Sequence, residues 1–233
     1  MSAAAGARAV VAILGPTASG KSALGVALAQ RFGGEIVACD STAVYRGFDI
    51  GTDKVPASGQ GGIPHHGVDL VEPETDYTAA DYARDAMAAI EDIHARGRLP
   101  IVVGGTGFYY RALVRGIFPG PGRDDRVRGR LDAIAARRGA ARLHRLLARI
   151  DPPSAARIQP RDQMRIVRAL EVYFQSGRTL TAHFADTRAP LDGWTVIALA
   201  VRPAWEEIVG RIVRRVDEQF ARGIEDEVRA LLG

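Results

Sequence analysis

Residues 15–22 read Gly-Pro-Thr-Ala-Ser-Gly-Lys-Ser and lie between the apolar run Ala-Val-Val-Ala-Ile-Leu at 9–14 and a stretch of small and apolar residues from Ala23 that suits a helix. A strand that ends in such a loop and continues as a helix is the opening βα unit of a parallel sheet, and nothing else in the chain limits the fold as strongly. Gly15 and Gly20 permit backbone angles that let successive N–H groups converge on phosphate oxygens at the positive end of the helix. Lys21 adds a full positive charge, and Ser22 brings a hydroxyl able to hold Mg²⁺. The loop predicts a di- or triphosphate ligand.

The alternation continues through the first half. A strand-like run at 35–39 ends at Asp40-Ser41, and a glycine- and proline-rich connection spans 46–64. Val-Asp-Leu-Val at 68–71 is a further strand candidate. Thr78 with Asp81 three residues on marks the start of a helix running toward Arg96, and 99–103 reads as a buried strand closing at Gly104-Gly105-Thr106-Gly107. The Pro/Gly run at 118–122 interrupts this pattern. Beyond it the apolar spacing is helical, at Val127, Leu131, Ile134, Leu143, Leu146, Leu147 and Ile150 and again over 162–175. A strand returns at 194–201, followed by one long helix or two over 204–232. The expected fold is α/β: a P-loop-type parallel sheet flanked by helices, formed by 1–118 and 189–233, with an all-helical insertion domain at 119–188.

Charge is segregated along the chain. Lys21 and Lys54 are the only lysines, and between Arg123 and Arg188 fifteen arginines face seven acids, whereas the rest holds sixteen basic residues and twenty acids. The insertion therefore presents either a solvated arginine-rich helix face or a surface for phosphodiesters, which guanidinium forks suit. The single cysteine, Cys39, excludes an internal disulfide and a cysteine-based zinc site, and a buried strand position is its expected role. No apolar stretch approaches the length of a membrane span, and residues 1–7 lack the apolar centre of a signal peptide. A soluble, cytoplasmic protein with no membrane partner is expected.

A phosphate loop does not say what is done to the phosphate. NTP hydrolases end a second buried strand with an acid that grips Mg²⁺ or water, but the 101–103 run ends in Gly104-Gly105-Thr106 instead. The acid that ends a strand is Asp40, and ligands bind at the carboxyl ends of parallel strands, so Asp40 is expected to face the phosphates. As an alternative it caps the Ser41-Thr42 turn.

Five motifs then occur in order with the loop: Asp40-Ser41 with Tyr45, Asp49-Ile50-Gly51-Thr52-Asp53-Lys54, Pro64-His65-His66, Gly104-Gly105-Thr106-Gly107-Phe108-Tyr109 and Arg168-Ala169-Leu170-Glu171-Val172. Together they resemble the tRNA dimethylallyltransferases, also called tRNA isopentenyltransferases, from Val10 to the last residues. The resemblance implies transfer of a dimethylallyl group from dimethylallyl pyrophosphate to N6 of the adenosine on the 3′ side of the anticodon, with release of diphosphate. It implies that Thr17 contacts the pyrophosphate near the bond that breaks, and that Arg215 completes a diphosphate site made with Gly15, Thr17, Ala18, Ser19, Gly20, Lys21 and Ser22, Arg211 being the other candidate. It further implies tRNA contacts at Asp40, Ser41, Thr42, Ala43, Thr106 and Arg128 and along Met164, Arg165, Ile166, Val167 and Arg168. Met164 stands where a glutamine is expected and Phe108 where leucine is more usual. The family usually continues with another helical, basic segment, which this sequence does not contain.

The chemistry agrees with these residues independently. Charge builds on the departing pyrophosphate, which N–H donors, Lys21 and Mg²⁺ would stabilise, while the weakly nucleophilic adenine amine needs a base, here Asp40. Partners are then dimethylallyl pyrophosphate and the tRNA anticodon arm, and the protein is expected to be a monomer. Two other readings stand beside this one: a P-loop nucleoside or small-molecule kinase with an arginine-rich lid, and a nucleotide-dependent RNA-binding module. His65-His66 lacks the partner spacing of a metal site. His94, His144 and His183 are expected at the surface or in packing, and Trp194 and Trp205 against the sheet.

Overall fold

The short apolar runs and the amphipathic stretches between them become a parallel sheet with helices in a computed structural model that describes residues 8–118 and 120–232; residues 1–7, Pro119 and Gly233 lie outside the described residues. In chain order, β1 (Ala9–Leu14) leads into α1 (Lys21–Phe32), then β2 (Gly34–Cys39), β3 (His65–His66), α2 (Ala79–Ala95), β4 (Leu99–Gly104) and α3 (Gly107–Arg115). Five helices follow: α4 (Asp125–Arg138), α5 (Ala140–Ile150), α6 (Pro152–Arg157), α7 (Gln163–Ser176) and α8 (Leu180–Ala185). The chain then forms β5 (Thr195–Ala200), α9 (Trp205–Ala221) and α10 (Ile224–Leu232). Two compact units result, Met1–Gly116 with Ala189–Gly233, and Ile117–Arg188.

In the α/β unit the strand order is β3-β2-β4-β1-β5, with every pair parallel. Strands β1, β2 and β4 are nearly continuous apolar runs because helices cover both faces, and Val10, Ile13, Val37 and Ile101 are fully buried. Register matters most for function. Leu14 and Cys39 both pair with Gly104, so the phosphate loop and Asp40 leave the sheet at one level on either side of β4, about 10 Å apart at the usual strand spacing. Gly104 makes this possible, since a Cβ there would lie 2.0 Å from the Cys39 carbonyl oxygen. The spacing of Thr78 and Asp81 forms a capping box on α2, with Thr78 Oγ1 accepting from Asp81 N at 3.2 Å and Asp81 Oδ2 from Thr78 N at 3.0 Å. Tyr82 of α2 stacks on Tyr109 of α3 at 4.4 Å.

Two expectations need correction. The 68–71 run is not a strand: β3 forms earlier, against β2, and Val71 makes only an isolated bridge to Tyr45, because Asp69 adopts φ 54°, incompatible with extended backbone. Trp205 is 70% exposed rather than packed on the sheet, whereas Trp194 is buried beneath Arg8 and His94. The helical spacing over 126–150 belongs to two helices, parted by Gly139 at φ 76°.

The helical unit closes around Leu131, Leu143, Leu147, Ile166 and Leu170. Glu171, fully buried, accepts from Arg128 Nε and Nη2 at 2.9 and 3.1 Å, from Arg168 Nη1 at 2.8 Å and from Asp124 N at 2.8 Å, tying α4 to α7. In the α/β unit Glu35 plays a comparable part, bound by Arg96 and by His66 Nε2 at 2.8 Å; the Arg96 hydrogen bonds hold its carboxyl down at about 2. His66 is thus engaged in joining β3 to β2. Cys39 is buried, and its thiol is pushed up to about 11 by that burial.

Candidate active site

The loop between β1 and α1 is shaped by two left-handed residues, Ala18 at φ 60° and Gly20 at φ 91°. Gly20 caps α1 without a side-chain acceptor, so the N–H groups of the first helical turn stay available for an anion. Ser19 is 3% exposed, and its Oγ has no hydrogen-bond partner among the described residues, an orphan that a phosphate oxygen would satisfy. Lys21 Nζ donates to the Pro16 carbonyl at 2.6 Å. Burial lowers the Lys21 pKa, Asp40 opposes that and Arg215 adds to it. A pocket of about 480 Å³ opens over the loop, within the usual range for small-molecule sites, and Thr17, Ser22, Asp40, Thr42 and Ala43 line it as well.

Asp40 follows β2 directly. Its Oδ1 accepts from Thr42 N at 2.9 Å, Thr42 Oγ1 at 2.7 Å and Ala43 N at 3.4 Å, while Oδ2 has no partner among the described residues. The turn-capping role and the pocket role therefore coexist, one on each oxygen. Thr106 secures this turn: its Oγ1 accepts from Ser41 N at 3.0 Å and donates to Ser41 Oγ at 3.3 Å. Thr106 holds the Asp40-Ser41 segment and does not line the pocket itself.

Two arginines of α9 reach the pocket, and their engagements differ. Arg211 Nη1 donates to the Ala18 carbonyl at 3.3 Å and Nη2 pairs with Glu207, so this side chain braces the loop. Arg215 forms an ion pair with Asp53, its Nε 3.4 Å from Asp53 Oδ2, and makes no hydrogen bond among the described residues. Gly51 to Lys54 of the 49–54 motif form another wall of the pocket, and the segment is anchored by Gln219 and Glu227. No sequence signal pointed to those two residues. Lys54, one of only two lysines, has a buried side chain that bridges Asp49 and Asp69.

The remaining site residues lie in the helical unit. Met164 and Arg165 are exposed, whereas the side chains of Ile166 and Val167 are core residues and leave only backbone for any contact. Arg128 and Arg168 are half-buried on Glu171, while every other arginine between Arg123 and Arg188 is exposed.

A parallel sheet, a phosphate loop after β1 and a carboxylate on the far side of β4 in the same pocket define a P-loop protein. The IPP transferase family model matches residues 43–233. A tRNA dimethylallyltransferase of Anaeromyxobacter dehalogenans is 51% identical over 222 residues, 95% of this chain and 74% of that protein; one of Solibacter usitatus is 49% identical over 223 residues, 96% of this chain and 72% of that protein. Among solved structures, a tRNA isopentenylpyrophosphate transferase of Bacillus halodurans is 38% identical with a TM-score of 0.63, covering 97% of this chain and 70% of that one. A eukaryotic dimethylallyltransferase acting on tRNA has a TM-score of 0.77 at 32% identity, covering 97% of this chain and 56% of the other. The chain belongs to the IPP transferase family. No group of three or more potential metal-ligating side chains, and no helix long and apolar enough to cross a membrane, occurs among the described residues.

Proposed function

We propose that this protein is a tRNA dimethylallyltransferase, moving the dimethylallyl group of dimethylallyl pyrophosphate onto N6 of the adenosine on the 3′ side of the anticodon. The observation that carries the reading is the pairing of the phosphate loop with Asp40 across β4, whose own end is Gly104 rather than an acid. The nitrogen lone pair attacks the allylic C1, the C1–O bond breaks, its electron pair leaves with diphosphate, and the N6 proton passes to Asp40 Oδ2, the oxygen left open by the turn. The first-turn N–H groups, Lys21 and the free end of Arg215 stabilise the charge that builds on the leaving group, with Thr17 and Ser19 beside it.

Mg²⁺ fits this site through the Ser22 hydroxyl, since that ion keeps most of its shell as water and phosphate oxygen and needs no cluster of carboxylates. When bound it neutralises diphosphate charge. Exposed arginines of the helical unit, Arg165 among them, supply phosphodiester contacts to an anticodon arm whose target base is extruded from its stack. In this reading the protein is a cytoplasmic monomer. A kinase is not favoured, because it does not account for the family membership.

The test is to supply dimethylallyl pyrophosphate labelled in its carbon chain with unmodified tRNA, and in parallel γ-labelled ATP with small acceptors. Label in RNA is the expected result. Label passing from ATP to an acceptor, with none entering RNA, refutes the proposal.

A further inference from the structure

Asp53 takes no part in the transfer as set out above, yet it lines the pocket and faces its cations. Its Oδ2 lies 3.4 Å from Arg215 Nε, and its Oδ1 lies 3.3 Å from Arg222 Nη1. The segment that carries it is fastened at every side. Glu227 of α10 accepts the N–H groups of Asp49, Ile50 and Gly51 at 2.8, 2.6 and 2.8 Å. Gln219 of α9, itself buried, donates to the carbonyls of Ile50 and Gly51 at 2.9 and 3.1 Å. Lys54, its side chain 7% exposed, binds Asp49 Oδ1, Asp69 Oδ1 and the Tyr45 carbonyl.

Asp53 itself sits at φ 54°, a left-handed conformation that aspartate tolerates better than most residues but that carries strain. Stability does not explain the arrangement, because ion pairs as open as these, with the Asp53 side chain 42% exposed, contribute little. Orientation does. The Asp53 carboxylate holds the Arg215 guanidinium beside it by charge, 3.4 Å from Nε, while the terminal N–H pair makes no hydrogen bond among the described residues and keeps the edge that forms two parallel bonds to a phosphate.

We infer that Asp53 is a positioning residue for the isoprenoid donor: its carboxylate, paired with the Arg215 guanidinium, keeps that side chain at the pocket so that its terminal N–H groups meet the diphosphate already oriented. This rests on the reading of Arg215 as a diphosphate ligand. A charge fixed in advance forfeits less side-chain freedom on binding, so removing Asp53 weakens the grip despite deleting a negative charge near an anion.

The experiment is a double-mutant cycle on the Kd for inorganic diphosphate, with KM measured for both substrates. Asp53→Asn keeps the shape of the side chain and its tolerance of left-handed backbone. It is expected to raise the Kd about fivefold, to raise KM for dimethylallyl pyrophosphate in parallel, and to leave KM for tRNA alone. In an Arg215→Ala background the same change should add nothing. Equal effects in both backgrounds, or equal shifts in both KM values, overturn the inference by showing action elsewhere than through Arg215. If Arg215→Ala weakens diphosphate binding and Asp53→Asn does not, the inference falls while the Arg215 role stands. If Arg215→Ala leaves the Kd unchanged, both fall.

Discussion

Replacing Glu171 by glutamine removes the charge around which α4 and α7 are joined. The carboxylate accepts four hydrogen bonds, three from guanidinium nitrogens and one from the Asp124 amide. Burial pushes its pKa up, but the bonds from Arg128, Arg168 and Asp124 outweigh it and hold the group at about 2, against an ordinary value of 4.5. That difference corresponds to about 3 kcal/mol of stability. A depressed folded-state value contributes above pH 4.5 and is lost as pH falls toward 2, with about 2 kcal/mol gone by pH 3. Glu171→Gln should forfeit roughly 3 to 5 kcal/mol at pH 7, since it leaves two half-buried guanidinium groups facing an amide. Urea unfolding of parent and variant at pH 7, 5 and 3 measures both quantities. Glu35 is also held at about 2 and weakens both proteins equally in acid, so the difference between their pH profiles isolates Glu171. A variant as stable as the parent at pH 7, or one whose stability falls as steeply between pH 5 and 3, would refute the reasoning.

Other outcomes follow from the same geometry. Asp40→Asn keeps the turn but removes the base, and single-turnover prenyl transfer should slow by about a hundredfold or more with inorganic diphosphate binding nearly intact; an unchanged rate removes Asp40 from that role. Gly104→Ala forces a methyl group against the Cys39 carbonyl between two neighbouring strands, and thermal unfolding should register a loss of about 3 kcal/mol or more. Arg165→Ala, at an exposed position, should weaken tRNA binding and reduce the salt dependence of log K by roughly 1, read from affinities over a salt series.

The phosphate loop, the strand that ends at Asp40 and the start of α2 were legible because each depends on local pattern: a glycine turn, an apolar run, a capping box. The helical character of the insertion was legible for the same reason. What escaped depends on contacts distant in sequence. Glu227 meets the 49–51 backbone 176 to 178 residues away, and an acid on a solvated helix gives no hint of it. The 68–71 run has strand composition, but the left-handed backbone at Asp69, whose carboxylate pairs with Lys54, keeps it out of the sheet. Arg128 and Arg168 read as RNA ligands by resemblance, yet both are anchored on a carboxylate whose burial could not be inferred from the chain alone. Trp205 followed the rule that large aromatics are interior and breaks it.

The account stands or falls on what occupies the glycine cradle. A crystal structure determined after soaking with an unreactive analogue of dimethylallyl pyrophosphate and ATP together would settle the matter. It should show the diphosphate on residues 15–22 with the allylic carbon directed at Asp40 Oδ2; ATP seated on the loop with the isoprenoid analogue excluded would contradict it.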